Sequence, residues 1–457
     1  MRSPALVLVA LPLFATAAPC QSTDPIAGRL DSALRAAEAK GFSGVIRIDR
    51  DGSTILKKGY GFANRESRTA FEPTTVVQIG SNTKDFTMVA LLQLQERGQI
   101  DMRDSLAKYF PNAPADKRNI TLAQLANHRA GFPIGLGGDF EPLSREQFLD
   151  AAFKRPLLFA PGEREQYSNT GYALLAAVIE KVTGRTYDEY LRDNILKPLG
   201  LANTGFLFPN FDPTRLAHGY RDNQDQGTMM SKPHAVDGPY WNLRGNGGML
   251  STVDDMHAFY KALFETSTLI KPSSKIGRFN PDEPIGLAGS DLVNFFAYQR
   301  LPGRRIEIIV ASNNAAFGER PVRAAIAEVL GLSQGRGGPV VATAPRANAR
   351  PPAPAVATML TDFVKVVNAG DSTRIAAFVT AHFLAEPGGA TPGERATRML
   401  AMHRNLGELK IGGMDQIEPN AVEISVTTAA EGAATMKVLL DDSPSPRIKG
   451  IQMMVGG

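Results

Sequence analysis

Residues 78–100 read QIGSNTKDFTMVALLQLQERGQI, and this stretch governs how the rest of the chain is interpreted. Its apolar residues recur at intervals of three and four, which predicts an amphipathic helix, and neither Gly nor Pro interrupts the pattern before Gly98. Ser81 and Lys84 stand three positions apart at the start of this helix. Residues with this spacing share one helix face, so we expect the amine of Lys84 to lie beside the hydroxyl of Ser81.

The Ser81–Lys84 pair is suited to nucleophilic catalysis. A serine hydroxyl is a weak nucleophile at neutral pH unless a neighbour takes its proton, and a lysine in a confined, partly desolvated site loses affinity for its own proton and can take that role. At a first helical turn, Ser81 also lies near backbone N–H groups that favour a developing oxyanion. The alternative is a chance pattern on a surface helix, where serine is a cap and lysine is solvated.

A second motif, Tyr167-Ser168-Asn169, precedes another predicted helix. It lies in residues 159–184, FAPGEREQYSNTGYALLAAVIEKVTG, where a Pro-Gly turn leads through a polar stretch into an apolar helical pattern. A phenol at Tyr167 can project into a cleft and relay a proton, and the amide of Asn169 can hold the lysine or a substrate carbonyl. Taken singly, each residue favours a structural role instead: Tyr167 as a packed aromatic residue and Asn169 as a helix N-cap.

Together, and in this order, the two motifs resemble those of the penicillin-recognising serine hydrolases: class C β-lactamases, D-alanyl-D-alanine peptidases and related esterases. The resemblance covers roughly residues 27–332 and implies an α/β fold, with an antiparallel sheet flanked by helices plus a helical subdomain. It also implies that Ser81 is the nucleophile and that Lys84 and Tyr167 handle its proton. Further segments resemble the family's opening hairpin, the helix and loop before the second motif, a Gly-rich entry to a later helix and the closing strands: residues 42–64, 122–133, 245–263 and 295–314.

The family's third motif is altered in this chain. Where the family places a Lys or His, a small residue and a Gly, this sequence reads Leu287-Ala288-Gly289-Ser290. Gly289 lets a substrate backbone lie close to the strand, and the N–H of Ser290 is expected to form an oxyanion hole with that of Ser81. The cation that helps hold a substrate carboxylate is replaced by Leu287. We therefore expect an ester, amide or peptide substrate rather than a β-lactam, although a charge from Arg300, Arg304 or Arg305 is an open alternative.

Other chemistries have weaker support. The six histidines lack metal-ligand spacing such as H-E-x-x-H, so we expect no metal site and no cofactor. His128 is expected to be packed and hydrogen-bonded rather than catalytic. Residues 245–248, Gly-Asn-Gly-Gly, lack the ending of a phosphate-binding loop and predict a tight turn instead.

Charge and the amino terminus bear on partners and location. The formal net charge is +4, from 50 basic and 46 acidic residues, which is too balanced to indicate nucleic-acid binding. Residues 1–20 are typical of a signal peptide, and their apolar run is too short for a membrane span, so we expect an exported protein without a transmembrane segment. Cys20 is the only cysteine, which excludes an intramolecular disulfide; lipid attachment at Cys20 is the less favoured alternative because Pro19 precedes it.

The length of 457 residues indicates more than one domain. We expect a hydrolase domain over residues 24–332, a Pro-, Ala- and Gly-rich linker over 333–355, and a small domain over 356–457. In the last segment, helical periodicity precedes alternating apolar strands, which predicts an α+β cone that resembles the nuclear-transport-factor-like fold.

The sequence thus predicts an exported serine hydrolase that acts on a small-molecule or peptide substrate. Two alternatives remain: a binding or regulatory protein that keeps the fold without efficient turnover, and a class C-like β-lactamase. Leu287 is the direct support for the first and the main argument against the second. The oligomeric state is left open.

Overall fold

The computed structural model describes residues 25–206, 209–221, 223–275, 279–291, 293–314, 320–332, 351–384, 391–418, 420–428, 432–441 and 443–455. The signal-peptide prediction, Cys20 and most of the predicted linker lie outside these residues. The helices are α1 (Pro25–Glu38), α2 (Thr83–Glu96), α3 (Leu106–Tyr109), α4 (Leu122–Ala126), α5 (Arg145–Lys154), α6 (Asn169–Thr183), α7 (Tyr187–Leu191), α8 (Lys197–Leu199), α9 (Val253–Glu265), α10 (Arg320–Val329), α11 (Pro354–Ala369), α12 (Ser372–His382) and α13 (Pro392–Leu406). The strands are β1 (Gly44–Arg50), β2 (Ser53–Tyr60), β3 (Phe62–Asn64), β4 (Thr69–Ala70), β5 (Val77–Gln78), β6 (Tyr220–Arg221), β7 (Gln224–Asp225), β8 (Leu250–Ser251), β9 (Ile285–Ser290), β10 (Phe295–Leu301), β11 (Ile306–Ser312), β12 (Leu409–Glu418), β13 (Ala421–Thr428), β14 (Gly432–Leu440) and β15 (Ile448–Val455).

A five-stranded antiparallel sheet in the order β2-β1-β11-β10-β9 forms the centre of the large domain. Alternate residues of its strands enter two different cores, as the period-two geometry of a strand requires. Ile46 and Ile48 pack with helices α1 and α10, whereas Val45 on the same strand faces the core that contains α2 and α9. The sheet is therefore covered on both faces, and β9 lies at its edge.

Helices on the second face form the predicted helical subdomain around α6. Nearly every residue of α6 is buried, because the helix passes through the centre of the larger core. The helix begins after Ser168, whose hydroxyl accepts the backbone N–H of Gly171. Ser168 is thus the N-cap, and the alternative that assigned this role to Asn169 is wrong. The predicted α/β architecture is confirmed for this domain.

The carboxyl-terminal residues form a separate α+β core. Helices α11 to α13 precede the antiparallel sheet β12-β13-β14-β15, and their apolar residues share one cluster. Two of the helices and the later strands follow the predicted pattern, whereas α13 and β12 are additions to it. Helix α11 begins at Pro354, within the predicted linker. The nuclear-transport-factor-like likeness and the domain boundaries stay predictions. Among the described residues, no helix is long and apolar enough to cross a lipid bilayer.

Candidate active site

Ser81 lies on a tight turn that leads directly into α2. Residues Gly80–Asn82 form one turn of 3-10 helix, and Gly80 has a positive φ of 51°, a conformation that glycine adopts without strain. A methyl group at Gly80 would come within 2.8 Å of the backbone of Gly289 and Ser290. The turn therefore needs a glycine both for its shape and for its close contact with the sheet edge.

Lys84 is buried, with only 2% of its surface exposed, and its amine contacts the nucleophile. Its Nζ donates to Ser81 Oγ at 3.0 Å and to the backbone carbonyl of Asn246 at 2.8 Å. The same Nζ lies 4.8 Å from the ring centre of Tyr167 and 5.5 Å from that of Tyr172. The predicted Ser81–Lys84 contact is thus present, and the rings of Tyr167 and Tyr172 lie next to the amine.

Tyr167 completes a three-residue cluster. Its hydroxyl lies 2.6 Å from Ser81 Oγ, and 41% of the residue is exposed, so the phenol borders both the nucleophile and solvent. Its ring packs against His128 with 4.6 Å between ring centres. His128 Nδ1 accepts the backbone N–H of Ser168 at 3.2 Å, which holds the loop that carries Tyr167. The geometry gives His128 the packed, hydrogen-bonded position that its sequence context predicts.

Asn169 lies beside this cluster but does not hold the lysine. Its backbone N–H donates to Ile134 O at 2.8 Å, whereas its side-chain Oδ1 is buried and has no hydrogen-bond partner among the described residues. The acceptor on Lys84 is instead the carbonyl of Asn246, in the Gly-rich turn of residues 245–248. Asn169 Oδ1 thus does not contact the lysine in this structure, and the alternative that Asn169 holds a substrate carbonyl stays a prediction. Asn246 is a contact that the sequence did not reveal.

The edge strand β9 places Gly289 and Ser290 against the nucleophile turn. A methyl group on Gly289 would lie 2.3 Å from Ile79 O and 2.5 Å from Ser81 N. This close approach brings the backbone of residues 289 and 290 next to that of Ser81, as the oxyanion-hole hypothesis requires. Only a glycine leaves room for the strand to come this near.

Leu287 shares its strand face with Gly289 but is buried in the core, with 6% of its surface exposed. It is paired across the sheet with Tyr298. Two of the arginines considered as substitutes for the missing cation are engaged elsewhere: Arg300 Nε lies 3.5 Å from Glu307, and Arg305 Nε lies 3.2 Å from Asp51.

A separate cluster of Glu66, His218 and Asp225 brings three potential metal ligands within 4.8 Å of one another. The Asn64 Oδ1 atom accepts Ser67 N–H at 2.9 Å, so Asn64 Nδ2 is the atom that faces His218 Nε2 at 3.0 Å. His218 Nε2 is then an acceptor, and its Nδ1–H donates to Asp225 at 2.8 Å. Both ring nitrogens are committed to hydrogen bonds, and the prediction of no metal site stands as a prediction.

Comparisons with known proteins identify one family model and several relatives that are similar to this chain. The family model described as "Beta-lactamase" matches residues 30–286. Protein flp of Staphylococcus aureus (strain NCTC 8325 / PS 47) is 30% identical over 296 residues, and the match spans 59% of this chain and 59% of the length of that relative. The chain thus spans less than two thirds of the length of this curated relative.

Two solved structures show the same fold. FmtA from Staphylococcus aureus is 25% identical with a TM-score of 0.57, and the match covers 67% of this chain and 89% of FmtA. EstCE1, described as a hydrolase with promiscuous acyltransferase activity, is 21% identical with a TM-score of 0.55, and the match covers 66% of this chain and 98% of EstCE1. The second likeness concerns the fold alone.

Proposed function

Because this chain belongs to the β-lactamase family, and one structure with the same fold is described as a hydrolase with promiscuous acyltransferase activity, we propose that it is an exported serine hydrolase that forms an acyl-enzyme on Ser81. One observation carries the proposal: Ser81 Oγ lies 2.6 Å from the hydroxyl of Tyr167 and 3.0 Å from the amine of Lys84. A hydroxyl in contact with two proton-transfer groups on separate elements has the arrangement of an activated nucleophile.

In the first step, Ser81 Oγ attacks the carbonyl carbon of the substrate, and its proton passes to Lys84 or Tyr167. Lys84 is suited to this role because its buried amine lies 3.0 Å from Ser81 Oγ and is positioned by the backbone carbonyl of Asn246. Tyr167 is the more exposed of the two and can reach a leaving group in the cleft. We therefore assign Tyr167 the delivery of the proton to the departing oxygen or nitrogen.

The negative charge of the tetrahedral intermediate is stabilised by backbone N–H groups. Those of Ser81 and Ser290 are the proposed donors, since Gly289 allows the strand to approach the nucleophile turn. Such donors do not depend on side-chain identity, and each contributes about 10²–10³-fold to kcat in serine hydrolases. Water then attacks the acyl-enzyme, and the same proton carriers act in reverse to release the acid and free Ser81.

The substrate is proposed to be an ester, amide or peptide without a carboxylate at the position bound by the third motif. Leu287 is buried and apolar, and it offers no charge there. This disfavours the β-lactamase alternative. The binding-protein alternative is disfavoured by the intact contacts among Ser81, Lys84 and Tyr167. Export is proposed from the signal-peptide pattern of residues 1–20.

The test is covalent labelling with a fluorophosphonate probe, followed by mass spectrometry of the modified peptide. We expect the wild-type protein to be labelled on Ser81 and to hydrolyse p-nitrophenyl esters faster than nitrocefin. Ser81→Ala should abolish both reactions while the matched variant Ser67→Ala, on an exposed hairpin, keeps them. Labelling of a different serine in the Ser81→Ala protein would contradict the assignment, and faster turnover of nitrocefin would contradict the substrate class.

A further inference from the structure

A loop of residues 134–141 connects the two walls of the candidate active site. At its start, the carbonyl of Ile134 accepts the N–H of Asn169, beside Tyr167. Near its end, the carbonyl of Gly138 accepts Nδ2 of Asn242 at 2.9 Å. The loop is thus tied to the wall that carries Tyr167 and to a second wall that begins at Asn242.

This second wall leads to the lysine. Asn246 Nδ2 donates to the carbonyl of Asn242 at 3.0 Å, and the carbonyl of Asn246 accepts from Lys84. The loop backbone is therefore linked through Asn242 and Asn246 to Lys84 and borders the candidate active site. Asp139 is the residue that follows Gly138.

Asp139 is an exposed carboxylate with no hydrogen bond or ion pair within 4 Å among the described residues. Partial desolvation raises its pKa above the usual range for aspartate, repulsion from Asp291 raises it further, and attraction to Lys84 offsets part of the effect. The loop that carries Asp139 is attached at Ile134 and Gly138 to the two walls of the candidate active site, and the electrostatic influence of Lys84 and Asp291 agrees with that position. Its neighbours thus locate Asp139 at the candidate active site.

Asp291 belongs to the sheet-edge side of the candidate active site. It directly follows Ser290, the proposed oxyanion donor, in the turn between β9 and β10. Its Oδ1 accepts the backbone N–H of Val293 at 3.0 Å, and its Oδ2 accepts Asn294 Nδ2 at 3.1 Å. These bonds fix the carboxylate in the turn that follows the proposed oxyanion donor, so acidic residues on two separate loops flank the candidate active site.

Two residues that anchor the Asp139 loop carry acceptors that lack donors. Oδ1 of Asn169 and Oδ1 of Asn242 are buried and have no hydrogen-bond partner among the described residues. Asn242 as a whole is 94% buried, because its exposed fraction is 6%. A buried acceptor without a donor is costly unless a ligand supplies the missing N–H or O–H. Asn169 and Asn242 are the residues that anchor the two ends of the Asp139 loop, so the unpaired acceptors flank both attachment points.

We propose that this cleft selects acyl substrates that carry a positively charged ammonium group, with Asp139 and Asp291 as the specificity-determining carboxylates. The proposal rests on the hydrolase function above and names its substrate class. These substrates are esters or amides of amine-bearing acids, or esters of amine-bearing alcohols. An ammonium group supplies three N–H donors and a positive charge and contains no acceptor, which complements a wall of carboxylates and amide oxygens. Leu287 supports the same assignment, since it adds no competing cation.

The ammonium group can belong to the acyl part or to the leaving group, and two pairs of substrates separate these cases. The acyl pair is phenylalanine benzyl ester, in both enantiomers, and its N-acetyl derivative. The leaving-group pair is 4-aminobutyl benzoate and pentyl benzoate, which are similar in size. For each pair the measured quantity is the ratio of kcat/KM for the charged substrate to that for the neutral one at pH 7.

We expect one of the two ratios to be about five to ten in the wild-type protein, since a partly exposed charge pair contributes about 1 kcal/mol and a charge-assisted hydrogen bond somewhat more. Asp139→Asn should lower that ratio toward one, and Asp139→Lys should bring it below one. The matched control is Asp150→Asn, which removes a carboxylate from the exposed face of α5 and should keep the wild-type ratio.

Ratios near one in the wild-type protein for both pairs would overturn the ammonium assignment, as would a raised ratio that neither Asp139 variant changes. If neutral p-nitrophenyl esters are still hydrolysed and Ser81 is still labelled in that case, the hydrolase function stands and only the substrate class fails. Absence of Ser81 labelling and of all ester turnover would overturn both.

Discussion

Replacing Gly289 with alanine tests whether the edge strand borders the oxyanion site. The φ of Gly289 is not in the positive region, so alanine is compatible with the backbone itself. The obstacle is space: the added methyl would lie 2.3 Å from Ile79 O, 2.5 Å from Ser81 N and 2.7 Å from Asn82 Oδ1. Two of these three atoms belong to backbone that cannot rotate away. Strand β9 or the nucleophile turn must therefore retreat.

The size of the effect follows from the distances. Ordinary non-bonded contacts of this kind are about 3.4 Å or longer, so the two backbones must separate by about 1 Å. After a shift of that size, the N–H of Ser290 can no longer donate a hydrogen bond to the oxyanion. Losing one such donor lowers kcat about 10²–10³-fold. Overpacking should also lower the free energy of unfolding by about 1–3 kcal/mol. We expect KM to change much less than kcat, because the donor acts mainly in the transition state.

The assay is steady-state hydrolysis of a p-nitrophenyl ester, together with the rate of fluorophosphonate labelling and thermal unfolding. Gly28→Ala is the matched control, because a methyl at Gly28 in helix α1 meets no atom within 4 Å. That variant should keep wild-type turnover and be neutral or slightly more stable. If folded Gly289→Ala protein retains the wild-type kcat, the strand does not supply an oxyanion donor and the reasoning is refuted.

Two further predictions concern the proton carriers and a buried carboxylate. Lys84→Ala and Tyr167→Phe should each lower kcat by about two to four powers of ten, and the double variant should be little worse because the groups act as a unit; additive losses in ester turnover would assign them to separate steps. Burial raises the pKa of Asp188 to about 7, and attraction to Arg244 and Arg192 offsets part of this effect. The carboxyl group of Asp188 therefore keeps its proton to higher pH in the folded state than in the unfolded state. The free energy of unfolding consequently falls as the pH rises from about 4 to 7. Asp188→Asn should therefore raise the melting temperature relative to wild type more at pH 8 than at pH 5. The pH-dependent part of the change in the free energy of unfolding has an upper limit of about 4 kcal/mol. An equal change in melting temperature at both pH values would contradict this prediction.

Local sequence patterns were sufficient to predict the contact between Ser81 and Lys84 and the position of Tyr167. The contact between Ser81 and Lys84 follows from helical spacing alone, and the exposed position of Tyr167 follows from a polar loop before an apolar helix. The family resemblance then joined the two motifs, whose 2.6 Å contact no local pattern could predict. Ser168 rather than Asn169 is the N-cap of α6. The sequence did not distinguish the two residues, because serine and asparagine have similar preferences for the N-cap position.

Contacts made by backbone atoms and between distant loops escaped prediction. The carbonyl of Asn246 holds Lys84, but a carbonyl has no side-chain signature, and the Gly-rich segment around it only indicated a turn. Burial raises the pKa of Asp139 and the carboxylate of Asp291 raises it further, although 152 positions separate the two residues in the chain. Nothing in either local sequence distinguishes these residues from solvated aspartates, so the tertiary fold was needed to bring them together.

The close approach between the Gly80 turn and Gly289 also affects how the sheet is protected from other chains. Strand β9 is an edge strand, and an uncovered edge exposes backbone hydrogen-bonding groups that can recruit a strand from another molecule. In this protein the segment that carries the nucleophile lies over part of that edge. The turn that carries Ser81 thus also protects part of the sheet from aggregation. In a chain whose turn has detached from β9, the arrangement around Ser81 would be lost and the uncovered strand could pair with another molecule.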